Sequence, residues 1–216
     1  MPRVVFVIAD LAGYTALTEA HGGDGAATTV ARYRDLAERA LADGARIVEQ
    51  VGDELLIVAA DARAAMMSAV RIRTAVDEEP RFPGVRVGIA DGDVVERAGR
   101  YFGPALNLTA RLAARAGADE IFCTATVAEA CRDLDGVAFR GLGALRFKNV
   151  SAPVEVFAVV AEHANGRGTA VDPVCRMHLE PEAAPARLPF GDATHYFCSL
   201  DCARAFAASP ESYLTS

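Results

Sequence analysis

The chain has 216 residues, of which 52% are hydrophobic and 24% charged, and its formal net charge is −7. This balance is typical of a folded globular protein, and the length allows one domain of good size and a small one. The acidic charge argues against nucleic acid as a partner. No apolar run approaches the ~20 residues that cross a bilayer, and no signal-peptide pattern is present. We therefore expect a cytoplasmic protein with neither membrane nor nucleic-acid partners.

The first half of the chain alternates strand and helix patterns. Runs of β-forming residues and apolar spacings of about 3.6 residues, separated by Gly, Pro and Asp turn signals, define these elements. They are strands over residues 4–8, 45–49, 55–59 and 85–90, and helices over residues 26–41 and 62–76. The order strand, helix, hairpin, helix, strand predicts an α/β (α+β) fold, a ferredoxin-like sandwich with one helical layer on a mixed sheet.

The second half continues this domain and then changes in composition. A protruding hairpin is expected over residues 91–100, a helix over residues 105–116 that follows Gly103-Pro104, and a last strand over residues 154–160. The next ten residues have the composition of a linker. The predicted organisation is a main domain, a linker and a small C-terminal module, over residues 1–160, 161–170 and 171–216.

Two aspartates stand where a metal-bound phosphate chain can be held. Asp10 ends the first strand, and Gly13 and a helix N-terminus follow, whose free N–H groups and dipole suit phosphate oxygens. Asp53 lies at the tip of the central hairpin, and in a ferredoxin-like sheet the two strands can be neighbours. Either residue alone reads more simply as a helix cap or a turn former. Together they predict two carboxylates that share divalent cations.

Four segments together resemble the class III nucleotidyl cyclases. The resemblance covers about residues 3–160, and its segments are residues 6–15 (with Asp-x-x-Gly-Tyr-Thr), 51–53 (Val-Gly-Asp), 101–112 and 145–148 (Leu-Arg-Phe-Lys). The combination of both aspartates with an Asn-x-x-x-Arg helix behind Gly-Pro is specific, whereas no single piece is. Diguanylate cyclases of the GGDEF type are fold relatives with a similar hairpin, but here Val51 replaces the first glycine of their signature.

The resemblance implies an adenylate/guanylate cyclase, a phosphorus–oxygen lyase that makes a 3′,5′-cyclic nucleotide and pyrophosphate from ATP or GTP. Asp10 and Asp53 would each contact two Mg²⁺ or Mn²⁺ ions. Asn107 would orient the ribose, Arg111 would neutralise charge in the transition state, and Lys148 would bind the terminal phosphates. The metal side and the Asn/Arg side belong to opposite subunits in this family, so a homodimer is implied. The implied substrate-binding loop consists of Leu11, Ala12, Gly13, Tyr14 and Thr15.

Two positions depart from the adenylate cyclase pattern. Members that use ATP carry a Lys four residues before the second metal-binding Asp and an Asp or Thr seven residues before the Asn, and these positions are Glu49 and Arg100 here. An acid and an arginine match the N1 and N2 donors and the O6 acceptor of guanine. Three readings remain open: the pair reads guanine, it forms a salt bridge that gives loose base choice, or the pocket has lost nucleotide turnover.

The C-terminal module holds three of the five cysteines in a C-x22-C-x3-C spacing, namely Cys175, Cys198 and Cys202. Residues 171–216 resemble a YHS domain, although Arg176 stands where that family more often has Gly. Three thiolates favour Zn²⁺ or Cu⁺ over Mg²⁺, and a metal would stabilise a module with so small a core. His195 or His178 is a candidate fourth ligand. The alternative is a reduced, metal-free module.

The leading hypothesis is therefore a homodimeric nucleotidyl cyclase of intracellular signalling, regulated by metal in its tail with a sign that the sequence leaves open. The alternative is a catalytically silent, cyclase-like dimeric scaffold that senses metal or redox state through the tail. The metal-site aspartates and the Asn/Arg helix favour the enzyme, whereas Glu49 and Arg100 are compatible with a scaffold that has lost catalysis.

Overall fold

The structure is a computed structural model that describes residues 3–161 and 170–214. Most of the predicted linker, residues 162–169, lies outside the described residues. The elements of the main domain are β1 (Arg3–Leu11), α1 (Tyr14–Ala40), β2 (Ala45–Val51), β3 (Glu54–Ala59), α2 (Ala62–Glu78), β4 (Phe82–Pro83), β5 (Val85–Asp93), β6 (Val95–Arg97), β7 (Arg100–Phe102), α3 (Pro104–Arg115), β8 (Ile121–Thr124), α4 (Ala125–Ala130), β9 (Val137–Leu145) and β10 (Val154–Ala161).

Seven strands form one mixed sheet in the order β2-β3-β1-β5-β8-β10-β9. Neighbouring strands are antiparallel except β5 and β8, which are parallel. β1 lies between β3 and β5, and Ala9 pairs with Leu55, so the β2–β3 turn meets the end of β1. The arrangement confirms the predicted ferredoxin-like sandwich, and it brings the two aspartate-bearing segments to the same end of the sheet.

Helices cover both faces of this sheet. Val5, Val7 and Ala9 belong to the core beneath α1 and α2, whereas the alternate residues Phe6 and Ile8 pack with Ala105 and Ala113 of α3 on the other face. The prediction of one helical layer is therefore incomplete. β5 allows α3 to approach closely, because a Cβ atom at Gly88 would lie 2.3 Å from the carbonyl oxygen of Thr109.

α1 begins earlier than its apolar periodicity indicates. It starts directly after Gly13 and contains a break at Gly22, whose φ of 71° and ψ of 175° are not helical. The predicted segment, residues 26–41, corresponds to the part after this break. In the first part, the fully buried Leu17 packs against the C-terminal module and anchors the helix there.

The C-terminal module packs on the main domain through α1 and β4. Phe197 and Phe206 form its core with Leu17 of α1, and the strand that contains His178 pairs with β4. Within the described residues, no helix is both long enough and apolar enough to cross a bilayer. The elements of the module are β11 (Ala170–Val171), β12 (Met177–Leu179), a 3₁₀ turn (Pro181–Ala183), β13 (Ala186–Phe190), β14 (Ala193–Phe197), α5 (Leu200–Ala208) and α6 (Glu211–Leu214).

Candidate active site and metal cluster

Asp10 and Asp53 lie together at the end of β1. Their side chains lie close enough for Asp10 to raise the pKa of Asp53. Burial, followed by the hydrogen bond and charge of Asp10, raises the pKa of Asp53 to about 7. The raised pKa shows that negative charge on the two adjacent carboxyl groups is only partly balanced by the protein. Carboxylate oxygens are the ligands that hard cations prefer, so the residues fit a divalent cation such as Mg²⁺ or Mn²⁺.

Arg86 of β5 supplies the one positive side chain that contacts this pair among the described residues. It is the β-ladder partner of Asp10, and its Nε and Nη2 atoms donate to Asp10 Oδ2 at 2.7 and 2.5 Å. Glu54 lies close enough that burial and then the Asp10 charge raise its pKa, while Arg86 lowers it. Sequence reasoning missed Arg86 because a single charge in an apolar strand reads as a solvated position. Its register with Asp10 is the signal that finds it.

The predicted loop over residues 11–15 presents a helix N-terminus. Gly13 has a φ of 84°, occupies the N-cap of α1 and supplies no side-chain cap, so the first N–H groups of the helix have no acceptor from within it. Two residues of the loop have other contacts and do not face a ligand. The Leu11 side chain is buried, and the Ala12 N–H donates to Gly84 O at 2.8 Å. The donors that remain for a phosphate are the backbone N–H groups at and after Gly13.

Asn107, Arg111 and Lys148 line a common groove of about 710 Å³ between α3 and the segment after β9. Asn107 and Lys148 are exposed and Arg111 is half-buried. The structure thus brings these three predicted residues together on the same side of α3. Arg115 and Arg146 also line the groove, and four cationic side chains with an amide suit a polyphosphate and a ribose.

Glu49 and Arg100 line a second, smaller cavity of about 300 Å³ beside the β6–β7 hairpin. Both side chains are exposed. Tyr101 also lines the cavity, and its hydroxyl accepts a hydrogen bond from Arg46 Nη2 at 2.6 Å. The two residues that depart from the adenylate cyclase pattern are therefore neighbours, as a common role in reading a base requires.

The three tail cysteines form a buried cluster, and a histidine of α1 joins it. Cys198 Sγ lies 3.4 Å from Cys175 Sγ and 3.7 Å from Cys202 Sγ, and His21 Nε2 lies 3.4 Å from Cys198 Sγ. Sequence reasoning missed His21 because it precedes a glycine-rich stretch far from the cysteines. The only signal was its type, since His is a common companion of Cys around metals.

The two histidines considered for this role face other groups. His178 Nε2 lies 3.6 Å from Asp119 Oδ2, and the His195 ring packs on Phe206 with 5.0 Å between the ring centroids. Within the cluster, hydrogen bonds from Cys175 and Cys198 lower the pKa of Cys202 well below its ordinary value. One thiolate is thereby stabilised among three buried sulfurs.

Comparison with known proteins adds two findings for the main domain. The structure superimposes on the crystal structure of an adenylate/guanylate cyclase/hydrolase from Silicibacter pomeroyi with 32% identity and a TM-score of 0.63, covering 75% of this chain and 99% of the other. An adenylate cyclase from Streptomyces griseus is 37% identical over 121 residues, which are 56% of this chain and 30% of that protein. The chain spans less than half the length of the curated cyclases that it matches first.

The C-terminal module has relatives of its own. The YHS domain family matches residues 170–216. A copper-transporting P-type ATPase from Rhizobium leguminosarum bv. viciae is 44% identical over 45 residues, which are 21% of this chain and 5% of that protein. The tail is therefore similar to a small domain that also occurs outside cyclases.

Proposed function

The chain belongs to the class III adenylate/guanylate cyclase family, and on that premise we propose that it converts a nucleoside triphosphate to a 3′,5′-cyclic nucleotide and pyrophosphate. The observation that carries the proposal is the convergence of Asp10 and Asp53, which the β1–β3 register brings to one end of the sheet, where burial and Asp10 raise the pKa of Asp53. Two carboxyl groups that lie far apart in sequence converge beside a helix N-terminus, which is the arrangement that a metal-bound triphosphate needs.

Asp10 and Asp53 would hold two Mg²⁺ or Mn²⁺ ions. When bound, such ions activate the ribose 3′-hydroxyl and stabilise the departing pyrophosphate. Arg86 holds the Asp10 carboxyl group in place through its contacts with Oδ2. The pKa of about 7 at Asp53 means that its proton is given up near neutral pH.

The remaining residues bind and orient the nucleotide. In the proposed site, the N–H groups at and after Gly13 donate to phosphate oxygens and Asn107 orients the ribose. Arg111 neutralises the charge that builds on the phosphates, and Lys148 binds the terminal phosphates. We further propose that the Asn107 groove of one subunit faces the Asp10 pair of another, so that a homodimer has two composite sites.

We propose that Glu49 and Arg100 recognise the base of the nucleotide and that the tail binds a regulatory metal ion. The shared cavity supports a pocket that reads guanine, because a carboxylate accepts from N1 and N2 while a guanidinium donates to O6. The buried cluster of three thiols supports binding of a thiophilic ion. The proposed division into cyclase domain, linker and YHS domain follows residues 1–160, 161–170 and 171–216.

Complementation between two inactive variants tests the proposal. Asp53→Asn removes a metal ligand and Arg111→Ala removes the transition-state cation, so each variant alone should lose at least ~100-fold in rate with Mn²⁺ and ATP or GTP. In a mixed dimer, the intact Asp53 of one subunit faces the intact Arg111 of the other, and this gives one complete site. Activity of the mixture should return to about one quarter of wild type, because half the dimers are mixed and each then has one complete site.

The controls separate the enzyme from the silent scaffold. Mixing either variant with itself must restore nothing, and product must be identified by chromatography as a 3′,5′-cyclic nucleotide. A dimeric wild-type protein that makes no cyclic nucleotide with either substrate would favour the scaffold. Active single variants would instead remove Asp53 and Arg111 from the mechanism.

A further inference from the structure

Four ligand atoms meet where the C-terminal module touches α1. His21, Cys175, Cys198 and Cys202 each offer a ligand atom, and these atoms all lie within 4.8 Å of one another. Around a tetrahedral ion with metal–sulfur bonds of about 2.3 Å, neighbouring sulfurs are about 3.8 Å apart. The sulfur separations of 3.4 and 3.7 Å, and the 3.4 and 3.9 Å from sulfur to His21 Nε2, match the edges of such a tetrahedron.

The protein around the cluster holds these ligands in place. Asp172 is fully buried, and its Oδ1 accepts from Val174 N at 2.8 Å while its Oδ2 accepts from Cys198 N at 2.8 Å. One carboxylate thereby fixes both cysteine-bearing loops. Ser199 caps α5 by accepting from Cys202 N at 3.1 Å, which orients the third thiol. The backbone is thus organised by groups that are not themselves ligands, as in other built metal sites.

We infer that these four side chains form a Cys3His zinc site whose last ligand comes from the cyclase domain. Three buried thiols and one partly buried imidazole suit Zn²⁺, which is four-coordinate in structural sites. Hard cations such as Mg²⁺ prefer oxygen ligands, and the set contains none. The site is therefore structural, with no open position for a substrate.

Through His21, the bound ion would restrain the nucleotide-binding end of α1. It directly precedes Gly22, the break in the helix, so the segment from Gly13 to His21 is bounded by the substrate loop and by the ion. The tail reaches the other end of the same segment, since a Cβ atom at Gly13 would lie 2.7 Å from Arg176 Cβ. Resting on the proposed function, the inference is that zinc fixes this segment and activates the cyclase by preorganising its phosphate-binding turn.

Zinc binding by the full-length chain tests the site without any assay of catalysis. The reduced protein is freed of metal, titrated with Zn²⁺ against a chromophoric chelator, and analysed by mass spectrometry under native conditions. Wild type should bind one ion per chain. His21→Ala should weaken binding more than the ~10–100-fold typical of losing an outer partner of a metal site. His195→Ala, a matched change in the tail, should bind as wild type does.

Two results would overturn the site. Equal zinc affinity in His21→Ala and wild type would exclude His21 as a ligand, and unchanged affinity in Cys175→Ser would exclude the cluster altogether. Substitution with Co²⁺ adds an optical check, because the d–d absorption of a tetrahedral Cys3His complex must change when His21 is removed. None of these readouts depends on nucleotide turnover, so failure of the proposed function leaves them interpretable.

Hydrogen exchange tests the hold on α1. Zn²⁺ should slow amide exchange in residues 14–21 of wild type by at least ~10-fold, since an ion that binds only the native arrangement stabilises it. It should not slow exchange there in His21→Ala. If the zinc-loaded wild type exchanges these amides as fast as the metal-free protein, the inferred coupling is wrong. If exchange slows but the cyclase rate does not rise, the activating role is wrong and the site remains.

Discussion

Arg86 faces Asp10 across the β1–β5 ladder and donates twice to the same oxygen, Oδ2, while burial and Asp10 raise the pKa of the neighbouring Asp53. One guanidinium thus sits beside two carboxylates and sets how much negative charge the pair carries. Divalent ions are attracted to that same charge. The Arg86–Asp10 contact therefore tunes the candidate metal site as well as holding one of its members in place.

We predict that Arg86→Met raises the pH below which Mn²⁺ affinity falls. Arg86 lowers the pKa of Asp53, so its removal leaves Asp53 protonated over a wider range. The measurement is Mn²⁺ affinity by calorimetry between pH 5.5 and about 8.5, which brackets the values that carboxyl pairs reach. Arg86→Lys keeps the charge and should shift this pH less. Identical profiles for wild type and Arg86→Met would show that Arg86 does not tune the pair.

We predict that, without added Mg²⁺ or Mn²⁺, the folded chain loses stability as pH rises from about 4 to 7. Asp53 has its pKa raised from an ordinary 3.8 to about 7, so the folded state binds the extra proton between these values. Asp53→Asn removes the titrating group and should raise Tm at pH 7.5 by about 2–4 °C, the shift that about 1 kcal/mol produces in a domain of this size. At pH 4 the two proteins should melt alike, and a difference that persists there would contradict the prediction.

We predict that Glu49→Lys combined with Arg100→Asp shifts substrate preference toward ATP. The double change restores a donor and an acceptor that match adenine N1 and N6. A good bidentate base contact is worth about 1–3 kcal/mol, so the ratio of kcat/KM for ATP over GTP should rise by about 10–100-fold. Arg97→Asp, an exposed change on the same hairpin, is the control and should leave the ratio unchanged. A constant ratio in the double variant would rule out base reading at this cavity.

We predict that Gly13→Ala destabilises the chain more than Gly52→Ala. Both glycines have positive φ, 84° and 61°, which costs an alanine about 1–2 kcal/mol. Only at Gly13 would the new Cβ also lie 2.7 Å from Arg176 Cβ and Cγ, whereas nothing lies within 4 Å at Gly52. Overpacking of this kind adds about 1–3 kcal/mol. Urea denaturation measures both changes.

The double variant Gly13→Ala/Arg176→Gly separates the two terms. Arg176 itself has a φ of 64°, a conformation that glycine adopts without strain, so its replacement removes the clash and relaxes the tail turn. The double variant should therefore recover to the level of Gly52→Ala. If Gly13→Ala and Gly52→Ala cost the same, the tail does not press on the substrate loop.

Much of the main domain follows from its sequence pattern. The apolar runs of β1, β3 and β5 and the order of elements lead to the sheet, and the positions of Asp10 and Asp53 at a strand end and a hairpin tip lead to their meeting. The second helical layer does not follow as directly. The glycines of β5 that admit α3 read as ordinary turn or strand glycines until a helix backbone is found against them.

The residues that the sequence could not reveal are those whose partners come from a distant element. The pairing of Arg86 with Asp10 depends on the β1–β5 register, and the position of His21 beside Cys198 depends on the docking of the tail on α1. His178 and His195 were closer in sequence to the cysteines, but packing turns them toward Asp119 and Phe206. Proximity along the chain was a poor guide, because the tail presents its thiols toward its neighbour rather than toward its own hairpin.

The separation of His21 from Cys202, 181 positions along the chain, has a consequence for biosynthesis. A ribosome must deliver almost all of the described polypeptide before both side chains exist in the same molecule. Metal capture at full affinity therefore requires that both elements have been synthesised and that the tail has docked on α1. A product truncated before Cys202 would lack one of the thiols and would bind the ion more weakly.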